Sequence, residues 1–233
     1  MFKIRLMGVS VIALSMTLLL GAMDEDPDRG CGGGLDNRAG EPGVDVGGVA
    51  GAEWKITYGD KVEVKVKKAG VVVATENIVW ATGGTFKVDG EVVDLRKMCD
   101  RGDIACPEQI FPGTVRMTQP GSNLHLLYVT FNPVGPLKDY KEKLLLGNVD
   151  SDHDFSIALG VGAAGAGTCG LLATSYATGH IGGGKVPPYT GDVLNGNIVT
   201  TYSGGCALLG IKAGAGAGLQ VEVKMPISGA RQK

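Results

Sequence analysis

The densest group of side chains able to do chemistry is Asp150-Ser-Asp152-His-Asp154. Carboxylates at alternate positions are how Ca2+ loops gather hard oxygen ligands. An EF-hand loop counted from Asp150 would need glycine at its sixth position and glutamate at its twelfth, where Phe155 and Val161 stand. The run therefore reads in one of two ways. It is either a Ca2+ site of another kind on Asp150, Asp152 and Asp154, or a solvated acidic turn before a strand that begins at Phe155. No other cofactor is implied.

The three histidines, His125, His153 and His180, share no ligand spacing. His125 alternates within a strand pattern, His153 belongs to the acidic run, and His180 reads as part of a Gly-rich turn before Ile181. A serine nucleophile would call for a Gly-x-Ser-x-Gly elbow, which the chain lacks. Gly182-Gly-Gly-Lys185 has neither the spacing of a phosphate-binding loop nor its following Ser or Thr. Arg101-Gly-Asp103 spells the integrin-binding tripeptide with nothing around it to support that use. No residue is assigned to catalysis, and the chain reads as a non-enzyme.

Five cysteines are present: Cys31, Cys99, Cys106, Cys169 and Cys206. Cys31 stands apart in a Gly-rich stretch and is a candidate for lipidation or a free thiol. The other four allow three disulfide connectivities. Proximity favours Cys99 with Cys106, closing the loop over 100–105, and Cys169 with Cys206. With no Cys-x-x-Cys and no histidine at ligand spacing, a thiolate metal site is not indicated.

The ends of the chain set the compartment in which those thiols would sit. Met1-Phe-Lys-Ile-Arg5 is basic, the run from Leu6 to Leu20 is apolar, Gly21-Ala22 is small, and Asp24-Glu-Asp26 is acidic. That order is expected of a secretory signal over 1–22, because about 15 apolar residues fall short of the ~20 that span a bilayer. Leu19-Leu-Gly-Ala22 resembles a lipoprotein box, with Met23 where the lipidated cysteine would stand. Residues 23–49, rich in Gly, Asp and Pro, read as a flexible linker. Residues 50–233 are then one antiparallel β domain. Lys and Arg number 22 against 24 Asp and Glu, so the net charge of −2 offers no attraction to nucleic acid. The 39 glycines show no triplet period, which excludes collagen and points to turns and closely packed strands.

The elements that would position these residues alternate with period two. Val62, Val64 and Val66 fall on one face, with charges between them, as in an antiparallel strand with one wet face. Glu53–Tyr58, Val71–Thr75, Ile78–Trp80, Thr114–Thr118, Leu124–Thr130, Phe155–Val161, Leu171–Tyr176, Gly196–Tyr202 and Leu219–Met225 read as further strands. Asp89-Gly90 supplies the positive φ of a type I′ turn between Thr85–Val88 and Glu91–Leu95. Residues 96–112 read as a loop or short helical turn, and Asp139–Leu146 as a short helix. The stretches 162–167 and 213–218, alternating Gly and Ala, read as loop tips. Short strands at this spacing suit an all-β fold, either an antiparallel barrel or a sandwich.

Gly51-Ala-Glu-Trp54 at the first strand and Arg231 just beyond the last resemble lipocalin-type barrels. In that family a glycine and tryptophan open the first strand, and an arginine after the last strand stacks on the indole to close one end. Here the spacing is Gly-x-x-Trp. The resemblance implies a barrel closed by Trp54 and Arg231, and a cavity for a small apolar ligand.

These readings lead to an exported, non-catalytic binding protein of the cell envelope, periplasmic, outer-membrane-associated or extracellular. Its partner is expected to be either a small apolar ligand inside a barrel or another envelope component met through its surface. A filled core would favour the second. A hydrolase would need a histidine beside a carboxylate or hydroxyl in a cleft.

Overall fold

The computed structural model describes residues 45–81, 83–88, 90–100, 106–120, 124–132, 143–150, 153–166, 169–182, 191–204 and 218–232. The elements are β1 (Ala52–Tyr58), β2 (Lys61–Lys68), β3 (Val71–Val79), β4 (Thr85–Val88), β5 (Glu91–Asp94), α1 (Leu95–Asp100), α2 (Pro107–Ile110), β6 (Thr114–Thr118), β7 (Leu126–Phe131), β8 (Lys143–Val149), β9 (Asp154–Ala166), β10 (Cys169–Ile181), β11 (Val193–Gly204) and β12 (Leu219–Arg231). The signal segment, most of the linker, Cys31, Asp152 and Cys206 lie outside the described residues.

The fold is mostly β and is built on a closed eight-stranded antiparallel barrel. One sheet runs β1-β6-β7-β8-β9-β10-β11-β12-β2-β3, and the additional pairing of β1 with β12 closes eight of its strands into a ring. From β6 to β12 each strand is hydrogen-bonded to the next in sequence. The ring is therefore an up-and-down meander, with β2–β5 and the two helices inserted between β1 and β6. Closure leaves these eight strands without the open edge that invites pairing with another chain.

One edge of β12 serves two strands. Its residues Ile227–Arg231 pair with β1, and Leu219–Lys224 pair with β2. β1 and β2 thus follow one another along β12, interrupted at Gly59-Asp60 opposite Pro226. Pro226 has no N–H to give a ladder, but its carbonyl accepts the Gly59 N–H at 2.8 Å. A Cβ at position 59 would lie 3.0 Å from that proline ring. Beyond the break, β3 takes the outer edge of β2, as β6 takes that of β1. Period two sets which side chains enter: Val62, Val64 and Val66 of β2, and Leu219, Val221, Val223, Met225 and Ile227 of β12, are all buried.

Glycine lets the wall curve tightly. Across β9, β10, β11 and β12 the register partners are Phe155, Gly179, Gly196 and Ile227 in turn, so two large side chains flank two absent ones. A Cβ on Gly179 would stand 2.2 Å from the Asn195 carbonyl oxygen, and one on Gly196 would stand 2.2 Å from that of Thr178. Small barrels fill their interior by such alternation of small and large residues.

The inserted segment closes over part of the same core. β4 and β5 form the expected hairpin, with Gly90 at φ 81°. Phe86, Val88, Val93, Leu95 and Phe111 join the barrel residues in one hydrophobic cluster. Burial of each such side chain stabilises by roughly 1.5–3 kcal/mol relative to leaving it exposed. Residues 96–112 hold the two short helices, α1 having begun at Leu95.

Several expectations are corrected. Lys143–Val149 is a strand, paired with both β7 and β9, so the helix expected over Asp139–Leu146 does not hold for 143–146. The remainder of that segment lies outside the described residues. β9 runs on to Ala166 against Cys169 of β10, so 162–166 are strand rather than loop tip. β10 also contains His180, expected in a turn. Residues 71–79 are one strand, with a bulge that leaves Val73 between the partners of Val66 and Lys67. Arg231 ends the last strand instead of following it. The linker expected through 49 ends earlier, because Val46 is wholly buried in the core.

Candidate functional site

At the seam of the barrel, Trp54 and Arg231 are register partners across β1 and β12. Trp54 is fully buried and donates its indole N–H to the Val46 carbonyl at 2.9 Å. Arg231 sends Nη1 to the Asp45 carbonyl at 3.4 Å. The segment 45–50 is thus a strap tied down by both members of the pair. Gln119, fully buried after β6, secures it further. Its Oε1 accepts the Val46 N–H at 2.8 Å, its Nε2 donates to the Leu124 carbonyl at 2.6 Å, and its own N–H donates to the Gly48 carbonyl at 2.9 Å. A guanidinium does lie over an indole, but it is Arg96 over Trp80, 5.7 Å from the ring centre.

That second tryptophan belongs to a cluster the sequence did not reveal. Glu108 of α2 accepts from Trp80 Nε1 at 3.3 Å and from Arg96 Nη1 at 2.8 Å, and Arg96 Nε meets Asp100 at 3.2 Å. Tyr58 donates its hydroxyl to the Phe111 carbonyl at 2.7 Å. Burial, and after it the negative charge of Glu108, push the Tyr58 phenol well above its ordinary range. These contacts fasten the helices to the end of β1. They bring together residues up to 53 positions apart, which no local spacing announces.

Of the acidic run, Asp150 and His153 stand between β8 and β9, and Asp154 opens β9. Asp150 Oδ1 accepts the Asp154 N–H at 2.9 Å, and the Asp150 N–H donates to the Asp154 carbonyl, also at 2.9 Å. Asp154 Oδ1 lies 3.0 Å from His180 Nδ1 on β10. The rings of His153 and His180 are stacked, with centroids 6.1 Å apart and planes 18° from parallel. The carboxylates of Asp150 and Asp154 therefore serve the turn and a histidine. Among the described residues no group of three or more His, Cys, Asp or Glu is placed to hold a metal ion. His125 lies at the far side of the same turn, its Nδ1 2.9 Å from the Val149 carbonyl.

Cys106 is a free, buried thiol at the start of α2, so the pairing of Cys99 with Cys106 is not made. Its side chain is part of the hydrophobic cluster, while its N–H donates to Gln109 Oε1 at 2.9 Å. Cys99 lies in α1 and Cys169 opens β10; the expected pairing of Cys169 with Cys206 lies outside the described residues.

The described side chains inside the closed section are packed. Trp54, Met117, Leu127, Val129, Ile157, Ile181, Leu194, Ile198 and Met225 each have 0% of their surface accessible. Residues lining a cavity large enough for a ligand would retain accessible surface, so these side chains fill the space between them. The buried polar residues Ser175 of β10 and Thr200 of β11 satisfy one another at 3.0 Å. Apolar side chains are also found outside: Leu144 and Leu146 of β8, Val161 of β9, and Leu172 and Tyr176 of β10 are exposed.

No protein-family model matches the chain, and no curated protein matches its sequence.

Proposed function

We propose that this protein is an exported, non-catalytic β-barrel that acts as a structural or interaction component of the cell envelope, binding through its outer surface and loops. The observation that supports this reading is the packing of the described interior side chains, from Trp54 through Met117 and Ile157 to Met225, none of which keeps accessible surface. Exposed Leu144, Leu146, Val161 and Leu172 on adjoining strands supply apolar surface on the outside, where a partner would meet it. The test is intact mass under native and denaturing conditions. Equal masses per chain are expected. A native excess of a few hundred daltons that disappears on denaturation would overturn the reading.

A second reading, a lipocalin-type carrier of a small apolar molecule, is favoured by one observation. The closed eight-stranded meander sets Trp54 directly across from Arg231 at its seam. A carried ligand would then sit beyond the closed section, where β2, β3 and β9–β12 extend. The partly exposed Ala74 and Ala173 pack against the core there.

A further inference from the structure

We propose that the outer wall of the barrel from β7 to β10 is the face on which two copies of this chain pair about a two-fold axis. The inference rests on the outward-binding role proposed above and names its partner. Charge divides the outer wall into two halves. Side chains that alternate with buried ones along a strand point outward. On β6, β1, β2 and β12 those include Arg116, Glu53, Lys55, Lys65, Lys67 and Glu222. On β7 to β11, above the row of Asp154 and His180, none of the described outward side chains is charged. Instead Leu144 and Leu146 of β8, Val161 of β9, and Leu172 and Tyr176 of β10 are 59%, 49%, 62%, 45% and 38% exposed. Register makes these one patch. Tyr128 and Thr130 of β7 lie beside Leu146 and Leu144, and Thr174 of β10 lies beside Val161. The ladder between Gly147 and Ile157 joins β8 to β9 next to Leu146.

Two features of the patch fit a second copy. The first is the kind of polar group it carries, the hydroxyls of Tyr128, Thr130, Thr174 and Tyr176. A hydroxyl both donates and accepts, so this face can satisfy the same face turned through half a rotation. An ammonium only donates and a carboxylate only accepts, and near a two-fold axis each would meet its like. The charged half of the wall would repel its own copy in that way; the neutral half does not. A partner selected by charge would find no counter-charge on it. The second feature is size. The five exposed apolar side chains offer roughly 400–500 Å2, within the range of the largest patch on an ordinary monomer, where interaction sites are found. A standard interface covers about 800 Å2 on each partner, somewhat over half of it apolar. The apolar side chains and the hydroxyls among them supply the area and the mixture that one half of such a pair needs.

Sedimentation velocity of the whole protein between about 2 and about 200 µM tests the pairing. A dimer is expected, with twice the denatured chain mass and no further excess. Leu144→Glu and Leu172→Glu each place a carboxylate at an exposed position, and the two-fold axis brings every such charge in twice. Each is expected to weaken association at least tenfold with an unchanged circular dichroism spectrum. Thr57→Glu, at an exposed position of β1 on the charged half, should leave association as it is. Should the glutamates prevent folding, Leu144→Ser must still weaken association at least threefold. Protein that is monomeric throughout this range, or a dimer that these substitutions do not weaken, overturns the inference. Flotation of monomeric protein with phosphatidylcholine vesicles, lost in the same variants, would overturn it by assigning the face to a lipid surface. A native mass carrying a few hundred daltons beyond a whole number of chains would overturn the outward-binding reading itself; a monomer without that excess overturns the pairing alone.

Discussion

Trp54 and Arg231 face one another across the seam that closes the barrel, and each reaches past the other to a neighbouring residue of one strap, Val46 and Asp45. The seam and the strap therefore hold each other. Gln119 is the third point of attachment and the one most easily removed. Gln119→Ala leaves the Val46 N–H and the Leu124 carbonyl without their partner, at a cost of about 1–3 kcal/mol for a buried group so abandoned. Urea denaturation should show a lower midpoint with an unchanged slope, and the Trp54 emission should move to longer wavelength as water reaches the strap.

The glycines of the wall should resist the smallest enlargement. In Gly179→Ala the new methyl meets the backbone of Asn195 and Gly196, which cannot move aside as a flexible side chain would. Overpacking of this kind costs roughly 1–3 kcal/mol. Gly229→Ala meets the ends of the Leu194 and Ile56 side chains, so the loss there should be smaller. Thermal unfolding of the two variants side by side checks the order.

Alkaline pH should weaken the fold through Tyr58. Its phenol is held in the protonated form by burial and by Glu108, so its folded pKa lies above the unfolded value of about 10. Folded protein therefore keeps a proton that unfolded chain releases, and stability falls as pH rises from about 10 toward the folded pKa. Below that window the contribution is fully present. Denaturation midpoints at pH 8 and pH 10.5 should separate less in Tyr58→Phe than in the native protein.

Cys106 should behave as a core residue. A soluble alkylating reagent should modify it slowly in the folded protein and rapidly in denaturant, because the thiol is buried and unbridged. Peptide mapping that finds Cys106 in a disulfide would contradict this. Cys106→Ala should cost about 1 kcal/mol for the lost packing, within the usual range for small core truncations.

Much of this architecture could be read from alternation alone. The valines of β2, the Asp-Gly turn between β4 and β5, and the strand after Leu219 all appear where period two places them. The closed ring is implied by the resemblance of Gly51, Trp54 and Arg231 to lipocalin-type barrels, and the ladder between β1 and β12 closes one. The misreadings share a physical cause. Small residues carry no periodic signal, so Gly162–Ala166 looks like a loop until its partner Cys169–Ala173 is found across from it. Leu144–Leu146 lacks alternation because Leu144 and Leu146 face outward while Leu145 faces in, and all three are the same residue. The turn histidines were visible as types, but their stacking depends on β10 returning beside β9, a contact between positions 153 and 180 that no spacing rule encodes. Gln119 and Glu108 gave no signal at all, since one amide and one carboxylate among many look alike until burial distinguishes them.

The seam joins residues 54 and 231, a separation of 177 positions. No local segment can complete the ring, so folding must wait for the chain's last strand, and long-range closures of this kind are slow. A chain clipped before Met225 would leave two bare ladders, the edge of β1 and much of the outer edge of β11, each a template for pairing with another molecule. Residues 225–231 therefore decide between a closed ring and a sheet with open flanks. A carboxy-terminal truncation series followed by light scattering should therefore show an abrupt onset of aggregation, not a gradual loss of stability.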